Sequence, residues 1–375
     1  MERAYDFTTE DGLRAYLEFK QHTPVGTSSP DDRGFKVDML SGGTANYVYR
    51  VTTPDGSSSI YKHAAPYLHS NKKFAFDPIR MDYEARILES LLATGSPSSL
   101  TSGKSCVHAV RLLSYQRNQK LLHIEDGGRG NLKEAYTEPE LDIPQVGKEL
   151  ATWVAALHVG ERQVSLALPG QEKSLSEGNN QIAVAIYRHS YNNLHAALEQ
   201  FGHDVQLAHR INEEFGGLLQ TDDECICHGD FWPGNVLVRL DASATKPVEL
   251  TVVDWEMVRR GTSATDVGQF AAEAFLLDRF RGGRGLLRAF LNAYVDARKD
   301  VVPFGKVWLV RMAVHWAVHV AFWPTQVAWT DKEGTQKLVD ISVGVLQQVL
   351  ARDWDGLLAS PLLRDVREAY APVLE

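Results

Sequence analysis

The sequence predicts an α+β protein with two lobes, a small antiparallel sheet followed by a larger, mostly helical region. Up to about residue 125, short runs alternate apolar and polar side chains, which is the period of half-buried strands. From Asp142 onward, apolar residues recur every three or four positions, which is the period of packed helices. Between these patterns, residues 125–131 (EDGGRGN) have turn composition, so we expect lobes at residues 1–125 and 126–375.

The first lobe is expected to contain a five-stranded sheet and one helix. Three strand-like runs separated by turn-rich segments fall within residues 35–64, namely FKVDML, YVYRVTT and SSIYKHA. Residues 78–93 then place Met81, Ala85, Leu88, Leu91 and Leu92 at helical spacing. Two more strand-like runs follow, VHAVRLLSY and KLLHIED.

Helices dominate the second lobe. The periodic segments are GKELATWVAALH and residues 181–200, 267–279, 284–298 and 305–323. We interpret the most apolar stretch, 307–323, as a buried helix rather than a membrane span, because it carries Arg311, His315 and His319. Three short apolar runs fit a small group of strands among the helices: ECICHGD, NVLVRL and ELTVVDWEMV.

The composition excludes several classes of protein. The 375 residues include 48 acidic and 39 basic side chains, and a net charge of −9 argues against a broad nucleic-acid-binding surface. Three cysteines are too few for a disulfide scaffold and favour a reducing compartment. The polar start MERAYDFTTEDG shows no signal-peptide pattern, so we expect a cytoplasmic monomer or homodimer with no nucleic-acid or membrane partner.

The strongest chemical signal is HGDFWPGN (228–235), with Asp254 nineteen residues after Asn235 in VVDWE. Asp230 follows a strand-like run in a glycine-containing turn, which would hold its carboxylate at a loop tip. Asn235 offers a neutral oxygen, and Asp254 offers a charged one at the end of an apolar strand. Such oxygens suit Mg²⁺ held jointly with phosphates, and phosphoryl transfer needs that metal, a base at the acceptor hydroxyl and donors on the phosphates.

Candidate donors to phosphate precede this signal. A turn between two predicted strands contains Ser41, Gly42, Gly43, Thr44 and Asn46. Its glycines let the backbone approach an anion closely, although ordinary hairpin turns look similar. Lys62 lies in the next predicted strand, and Glu84 lies on a helix face from which it could pair with Lys62. Each is usually solvated when isolated, but their order along the chain is the order that a kinase-like fold requires.

These motifs resemble those of the aminoglycoside phosphotransferase and choline kinase superfamily, over roughly residues 7–330. HGDFWPGN is similar to its HGDxxxxN loop, VVDWE to its metal-binding segment, and LLHIEDGG to its inter-lobe strand and hinge. The methylthioribose-kinase-like branch, which includes a fungal kinase of a hydroxylated indole amine, resembles the chain best. The matching stretches are DFTTEDGLRAYL, LSGGTANYVYRV, YKHAAPY, YEARILESL and DWEMVRRGTSATDVGQF. Trp255 and Asn235 depart from methylthioribose kinases, so methylthioribose is not the expected acceptor.

The resemblance implies a bilobal protein-kinase-like fold that uses ATP and Mg²⁺ to phosphorylate a hydroxyl group of a small molecule. By this resemblance, Asp230 is the base or acceptor-orienting carboxylate. Asn235 and Asp254 are the expected Mg²⁺ ligands, and Glu256 is a candidate to hold a metal-bound water.

The resemblance also implies roles outside the two catalytic motifs. Lys62, positioned by Glu84, would contact the α- and β-phosphates of the nucleotide. Adenine would meet backbone groups of three consecutive residues, His123, Ile124 and Glu125. The backbone of the catalytic loop would be supported by His228 and Asp266.

A protein kinase is not expected. Only eleven residues separate Asp254 from Asp266, which leaves no room for a long activation segment, and Gly229 stands where protein kinases carry Arg. The expected acceptor is a hydroxylated amine, an indole or a sugar-like metabolite. Two alternatives stay open, an aminoglycoside-type antibiotic kinase and a non-catalytic nucleotide-binding module.

Aromatic residues crowd the late helices and suggest an acceptor pocket. Core packing is the ordinary explanation, but Trp323 and Trp329 stand on either side of Pro324, where we expect a helix to end. Their rings are candidates to stack on an aromatic or alkylammonium acceptor. Glu273 and Asp278 are weaker candidates for a counter-charge to an amine.

Two further patterns are interpreted as structural rather than metal-binding. Cys225 and Cys227 place both thiols on one face of a predicted strand, but Cys106 is the only other cysteine. We interpret the pair as buried strand cysteines. His315 and His319 share a helix face, and we interpret them as core or pocket-lining residues.

Overall fold

The computed structural model describes residues 5–21, 34–41, 43–93, 106–160, 164–170, 178–240, 248–299 and 305–375. The chain divides into two compact units, one of residues 1–93 and 110–127 and one of residues 94–109 and 128–375. Strands dominate the first unit and helices the second, which confirms the predicted α+β class.

The strands alternate with turns through the first unit and recur in short pieces in the second. Their bounds are β1 Lys36–Met39, β2 Tyr47–Thr52, β3 Ser58–His63, β4 Tyr67–Leu68, β5 Asn71–Ala75, β6 Val107–Ala109, β7 Leu112–Gln116, β8 Leu121–Glu125, β9 Gly130–Asn131, β10 Cys225–Cys227, β11 Val236–Arg239, β12 Glu249–Val252 and β13 Arg259–Gly261.

The α-helices fall mostly in the second unit. Their bounds are α1 Glu10–Gln21, α2 Arg80–Ala93, α3 Leu132–Ala135, α4 Ile143–Gly160, α5 Gln181–Gln200, α6 Val205–Ile211, α7 Ser263–Phe280, α8 Leu286–Arg298, α9 Lys306–Gln326, α10 Lys332–Ala351, α11 Trp354–Ala359 and α12 Arg367–Leu374.

The first unit is built on a five-stranded antiparallel sheet in the order β1-β2-β3-β8-β7. Side chains of β2 alternate between buried and half-buried, as its sequence pattern predicts. Helix α1, which the pattern did not predict, brings Leu13 and Leu17 into the same core cluster as Tyr49 of β2. Burial of these apolar side chains is the main force that holds the helix on the sheet.

One predicted strand, VHAVRLLSY, is two strands in two different sheets. β7 pairs with β8 in the first unit, whereas β6 pairs in parallel with β12 in the second, with Val107 opposite Leu250. The expectation of one strand in the N-terminal sheet is therefore wrong. Alternation indicates a strand but carries no information about its partner, which long-range packing selects.

The second unit packs helices around a buried pair, α7 and α9. Every residue of α7 from Ser263 to Leu277 is buried, so this helix has no polar face. A four-stranded sheet in the order β6-β12-β11-β9 and a two-stranded sheet of β10 and β13 lie in the same unit. Pairing of Val236 with Val252 in the β11–β12 hairpin brings the segment before β11 close to the segment after β12.

Helix α9 contains the most apolar stretch of the chain. It is buried along most of its length, including Arg311, His315 and His319, as predicted. It continues through Pro324 to Gln326, however, so the expectation that a helix ends at Pro324 is wrong. Proline cannot donate to the carbonyl four residues back, but its φ is helical, and here it lies in the last turn. Within the described residues no helix is long and apolar enough to cross a membrane.

Candidate active site

The catalytic-loop sequence begins directly after β10, at a turn that only glycine permits. Gly229 has φ +81°, and a Cβ built on it would lie 1.7 Å from the Met257 carbonyl oxygen. Any side chain would both strain the backbone and collide with this carbonyl. The glycine therefore fixes the turn that places Asp230 at the loop tip.

Asp266 in α7 holds the backbone of this loop, as the resemblance implies. Its Oδ2 accepts from the amide of His228 at 2.7 Å, and its Oδ1 accepts from the amide of Gly229 at 3.1 Å. Burial alone would raise the pKa of Asp266, but the hydrogen bond and charge of His158 and the charge of Arg259 hold it below its ordinary value. The loop is thus anchored by an ionised, fully buried carboxylate.

His158 supports the Asp266 carboxylate, and its hydrogen bonds leave no ring nitrogen for a metal ion. Its Nε2 lies 3.2 Å from Asp266 Oδ2, and its Nδ1 lies 3.0 Å from the hydroxyl of Tyr294. His158, Cys225 and Cys227 are close enough to share an ion. Both ring nitrogens of His158 are engaged, however, so the geometry supports the interpretation of Cys225 and Cys227 as buried strand cysteines.

His228 locks the far side of the loop. Its Nδ1 accepts from the amide of Asp230 at 3.2 Å, so its Nε2 carries the proton and donates to the Val253 carbonyl at 3.0 Å. The ring therefore joins the loop to the end of β12. This is a supporting role, as the resemblance implies.

Asp230 is held by three side-chain donors. Its Oδ1 accepts from Gln269 Nε2 at 2.7 Å, and its Oδ2 accepts from Asn235 Nδ2 at 2.9 Å and from Trp232 Nε1 at 3.3 Å. The packed surroundings and the negative charge of Asp254 nevertheless raise the pKa of Asp230 to about 7. Such a carboxylate is a stronger base at neutral pH than an ordinary one, while its orientation stays fixed.

Gln269 is a site residue that the sequence analysis missed. The hydroxyl of Tyr187 donates to its Oε1 at 2.5 Å, which turns the amide nitrogen toward Asp230. A signal was present in the sequence: Gln269 and Glu273 are the two polar residues in the apolar run VGQFAAEAFLL, one helical turn apart. Polar residues inside a buried helix need partners, and their partners mark the site.

Asn235 and Asp254 offer the kinds of oxygen atom that Mg²⁺ binds in proteins. The Asn235 amide nitrogen donates to the carbonyl and carboxylate of Asp230, so its oxygen is the atom left for a metal. The amide of Val253 donates to the Asn235 carbonyl at 2.9 Å, which ties the two motifs together. Oxygens of Asp254 and Glu256 lie within 4.8 Å of each other. Asp254 also has φ +67°, a rare conformation for a residue other than glycine and typical of functional sites.

In the first unit, Lys62 and Glu84 form a buried ion pair. Lys62 Nζ lies 2.8 Å from Glu84 Oε2, and their side chains are 7% and 0% exposed. The alternative that either residue is merely solvated is therefore wrong. Either charge would be costly to bury alone, so each side chain stabilises the charge of the other. The role of Lys62 toward a nucleotide stays a prediction.

The glycine-rich turn keeps an exposed tip and a buried root. Ser41, Gly43 and Thr44 are exposed, whereas Gly42 lies outside the described residues. The carbonyl of Thr44 accepts from the amide of Ser70 at 3.0 Å, which fastens the turn to the β4–β5 hairpin. Asn46 is buried, and its Oδ1 accepts from Arg80 at 2.9 Å, so in this structure it anchors the turn.

The predicted adenine-binding residues end β8. This strand is paired on both sides, with β3 and with β7, so the backbone of His123 and Ile124 faces neighbouring strands. The amide of Glu125 donates to the Arg111 carbonyl at 3.0 Å, and its carboxylate binds the Arg111 side chain. Burial also lowers the pKa of His123, to about 4. A backbone contact to adenine from these residues stays a prediction.

The candidate acceptor residues are two tryptophans, Trp323 and Trp329, and two acids, Glu273 and Asp278. Trp329 lies 4.2 Å from the Lys133 ammonium, and Trp323 packs against His319 and Phe322. Glu273 is buried and accepts from His319 at 2.9 Å. Asp278 instead accepts from the amides of residues 285–287 at the start of α8, which explains it as a structural residue.

Comparisons with known proteins agree with the resemblance. The 4-hydroxytryptamine kinases of Psilocybe cubensis and Psilocybe cyanescens are 25% and 24% identical to this chain; each alignment covers 96% of the chain and 99% or 98% of the relative. The solved microcompartment-associated aminopropanol kinase has a TM-score of 0.51 and 15% identity, covering 92% of this chain and 99% of that one, which shows a shared fold. The model of the "Phosphotransferase enzyme family" matches residues 37–304, and the chain belongs to this family.

Proposed function

We propose that this phosphotransferase moves the γ-phosphoryl group of ATP to a hydroxyl group of a small metabolite. The observation that carries the proposal is the setting of Asp230, whose carboxylate is fixed by three donors and has a pKa raised to about 7. A base with these properties suits an acceptor hydroxyl, which must be oriented before it is deprotonated. The named activities of the two fungal relatives and the aminopropanol kinase support the same reaction class.

The chain's own residues divide the work between them. Asp230 would orient the acceptor hydroxyl and accept its proton. Gln269 and Trp232 would keep the carboxylate from rotating, and Gly229 with Asp266 would hold the loop that carries it. Lys62, kept in place by Glu84, would contact nucleotide phosphates. Because the Asp230 carboxylate is held by these partners before substrate binds, it needs little reorganisation during transfer.

The oxygen atoms of Asn235 and Asp254 would hold Mg²⁺, with Glu256 beside Asp254. The fit rests on donor chemistry: the amide of Asn235 is turned oxygen-outward by Asp230, and Asp254 is held at a strand end. When bound, the metal would neutralise charge on the phosphates of ATP.

The acceptor is proposed to be a hydroxylated amine, an indole or a sugar-like metabolite. An aminoglycoside would call for a site lined by many carboxylates, because it carries several positive charges. Among the described acids of α7, Asp266 anchors the catalytic loop and Asp278 caps α8, which leaves Glu273 for an acceptor. A non-catalytic module would not need the intact set of Lys62, Asp230, Asn235 and Asp254.

The test is Mg²⁺-dependent ADP release from ATP across a panel of hydroxylated amines, indoles, sugars and aminoglycosides. Asp230→Asn keeps the shape of the side chain but removes the base, and should abolish acceptor-stimulated release. Asp254→Asn is preferable to alanine, because asparagine tolerates the left-handed backbone at this position. It should abolish release by weakening Mg²⁺ binding. Full activity in either variant, or ATP binding without turnover for every acceptor, would refute the proposal.

A further inference from the structure

A cavity outside the candidate active site opens in the second unit, between the start of α9, the start of α11 and the segment that follows α6. Its volume is about 400 Å³, which is within the range of small-ligand sites. At about 30 Å³ for each non-hydrogen atom, it has room for a molecule of about a dozen such atoms. Five apolar side chains contribute to its lining: Phe215, Leu218, Val307, Val310 and Trp354.

Two of these apolar side chains are open to solvent. Val307 is 77% exposed and Leu218 is 40% exposed. A ligand that covers them would remove apolar surface from water, which favours binding. Phe215 lies in a single turn of π-helix, Asn212–Gly216, and such turns are rare and frequent at functional sites. The apolar part of the cavity therefore suits the hydrocarbon body of a small molecule.

The other side chains of the lining are basic: Lys306, Arg311 and Arg352. Arg311 is already neutralised, because its guanidinium binds both carboxylate oxygens of Asp222. Lys306 and Arg352 form no ion pair with a described residue, and the Lys306 ammonium lies 5.5 Å from the centre of the Trp354 ring. In a protein with a net charge of −9, two unpaired cations beside apolar surface favour a ligand with one anionic group.

Arg352 stands at a backbone position that usually carries glycine. It ends α10 with φ +56°, in the left-handed region. Glycine adopts this conformation without the steric cost that a longer side chain brings. The next residue, Asp353, accepts from the amide of Gly356 at 2.9 Å and forms no ion pair with Arg352. The end of the helix therefore does not need the Arg352 charge, which is free to meet a ligand.

We propose that this cavity is a binding site for a small apolar carboxylate, whose carboxylate group binds Lys306 and Arg352. Ammonium and guanidinium groups form strong, charge-assisted hydrogen bonds to carboxylates, and their flexible stems let both reach one ligand. The apolar lining favours a single negative charge over the double charge of a phosphate monoester, because a dianion loses more hydration energy on burial. This site is separate from the proposed phosphoryl transfer and does not rest on it.

Calorimetry on the whole protein tests the site with 4-phenylbutyrate and with 4-phenylbutanamide, a neutral molecule of the same shape. The carboxylate should bind about tenfold more tightly than the amide. Arg352→Gly should remove most of that preference without lowering the Tm, because glycine suits the left-handed backbone. Val307→Trp should block both probes, because the added ring fills the cavity from an exposed position. Arg364→Gln, which removes an exposed arginine outside the cavity, should leave binding unchanged.

Several outcomes would overturn the site. Equal binding of the two probes would show that the cations do not recognise the ligand. Binding of 4-phenylbutyrate that survives both Arg352→Gly and Val307→Trp would place the probe elsewhere on the protein. Tighter binding of 4-phenylbutyl phosphate would replace the carboxylate by a phosphate monoester. A dimer that the probe dissociates, seen by sedimentation, would assign this face to a second copy of the chain.

Discussion

The side chain of Gln269 donates a 2.7 Å hydrogen bond to Oδ1 of Asp230. Asp266, three residues earlier in α7, accepts from the two amides that precede Asp230. One turn in the buried part of α7 therefore holds both the backbone of the loop and the orientation of its carboxylate. This arrangement makes α7 the element that decides where the Asp230 carboxylate points.

Replacing Gln269 with leucine should lower kcat more than it changes the KM for ATP. The variant keeps the volume of the side chain but frees one oxygen of Asp230, and misoriented catalytic groups cost about 10–100-fold in rate. Steady-state kinetics with an acceptor identified in the panel would measure both constants.

Tyr187→Phe is the matched control, because it removes only the hydroxyl that orients the Gln269 amide. Its kcat should fall in the same direction but by a smaller factor. A larger loss of kcat in Tyr187→Phe than in Gln269→Leu would show that Tyr187 does not act through Gln269.

Variants of the ion pair between Lys62 and Glu84 should change stability and activity by different amounts. Lys62→Met removes the ammonium that lies 2.8 Å from a fully buried carboxylate, and we expect about 3 kcal/mol loss of unfolding free energy. The double variant Lys62→Met/Glu84→Gln should recover part of that stability, since both charges are gone. It should still lose at least about 100-fold in kcat/KM for ATP. Denaturant unfolding measures the stability, and steady-state kinetics measure the activity, of the same preparations. An active double variant would exclude Lys62 from phosphate binding.

Two glycines with positive φ provide a matched test of the loop. Gly229→Ala should cost roughly 3 kcal/mol or more and abolish activity, because its Cβ would meet the Met257 carbonyl. Gly202 has φ +75° with nothing within 4 Å of a built Cβ, so Gly202→Ala should cost only about 1 kcal/mol. Thermal and urea unfolding would measure both. Similar losses in the two variants would mean that backbone strain, rather than the collision, limits position 229.

The lowered pKa of Asp266 predicts that the protein loses stability in acid. Its pKa in the folded protein is below the ordinary value of 3.8, so its ionised form stabilises the fold above that pH. This contribution is lost as pH falls through the folded-state pKa. Asp266→Asn should cost about 2–4 kcal/mol at pH 7, and its difference from the wild type should shrink below about pH 4.

The control is Asp340→Asn, which removes an exposed carboxylate paired with His203. It should cost at most about 1 kcal/mol at pH 7. Urea unfolding between pH 3 and 7 measures both variants. A difference between wild type and Asp266→Asn that stays constant over this range would show that the charge of Asp266 does not stabilise the loop.

Much of the architecture follows from local patterns. Strands β1, β2 and β3 and helices α2, α5, α7, α8 and α9 lie where period and turn residues predict them, because burial of one face imposes that period. The pattern failed where partner choice mattered: it did not separate β6 from β7. It also missed α1, whose helix lies on the first unit's core.

The sequence by itself determined the order of the chemical groups and the local geometry of the catalytic loop. Gly229 permits its turn, and Asp230 and Asn235 are close enough along the chain for one side chain to bind the other. The tertiary structure alone decided which distant groups surround them. Gln269 and Tyr187 come from α7 and α5, and only helix packing brings such separate segments together. A side chain's identity is local information, whereas its neighbours are set by the burial of apolar surface across the whole unit.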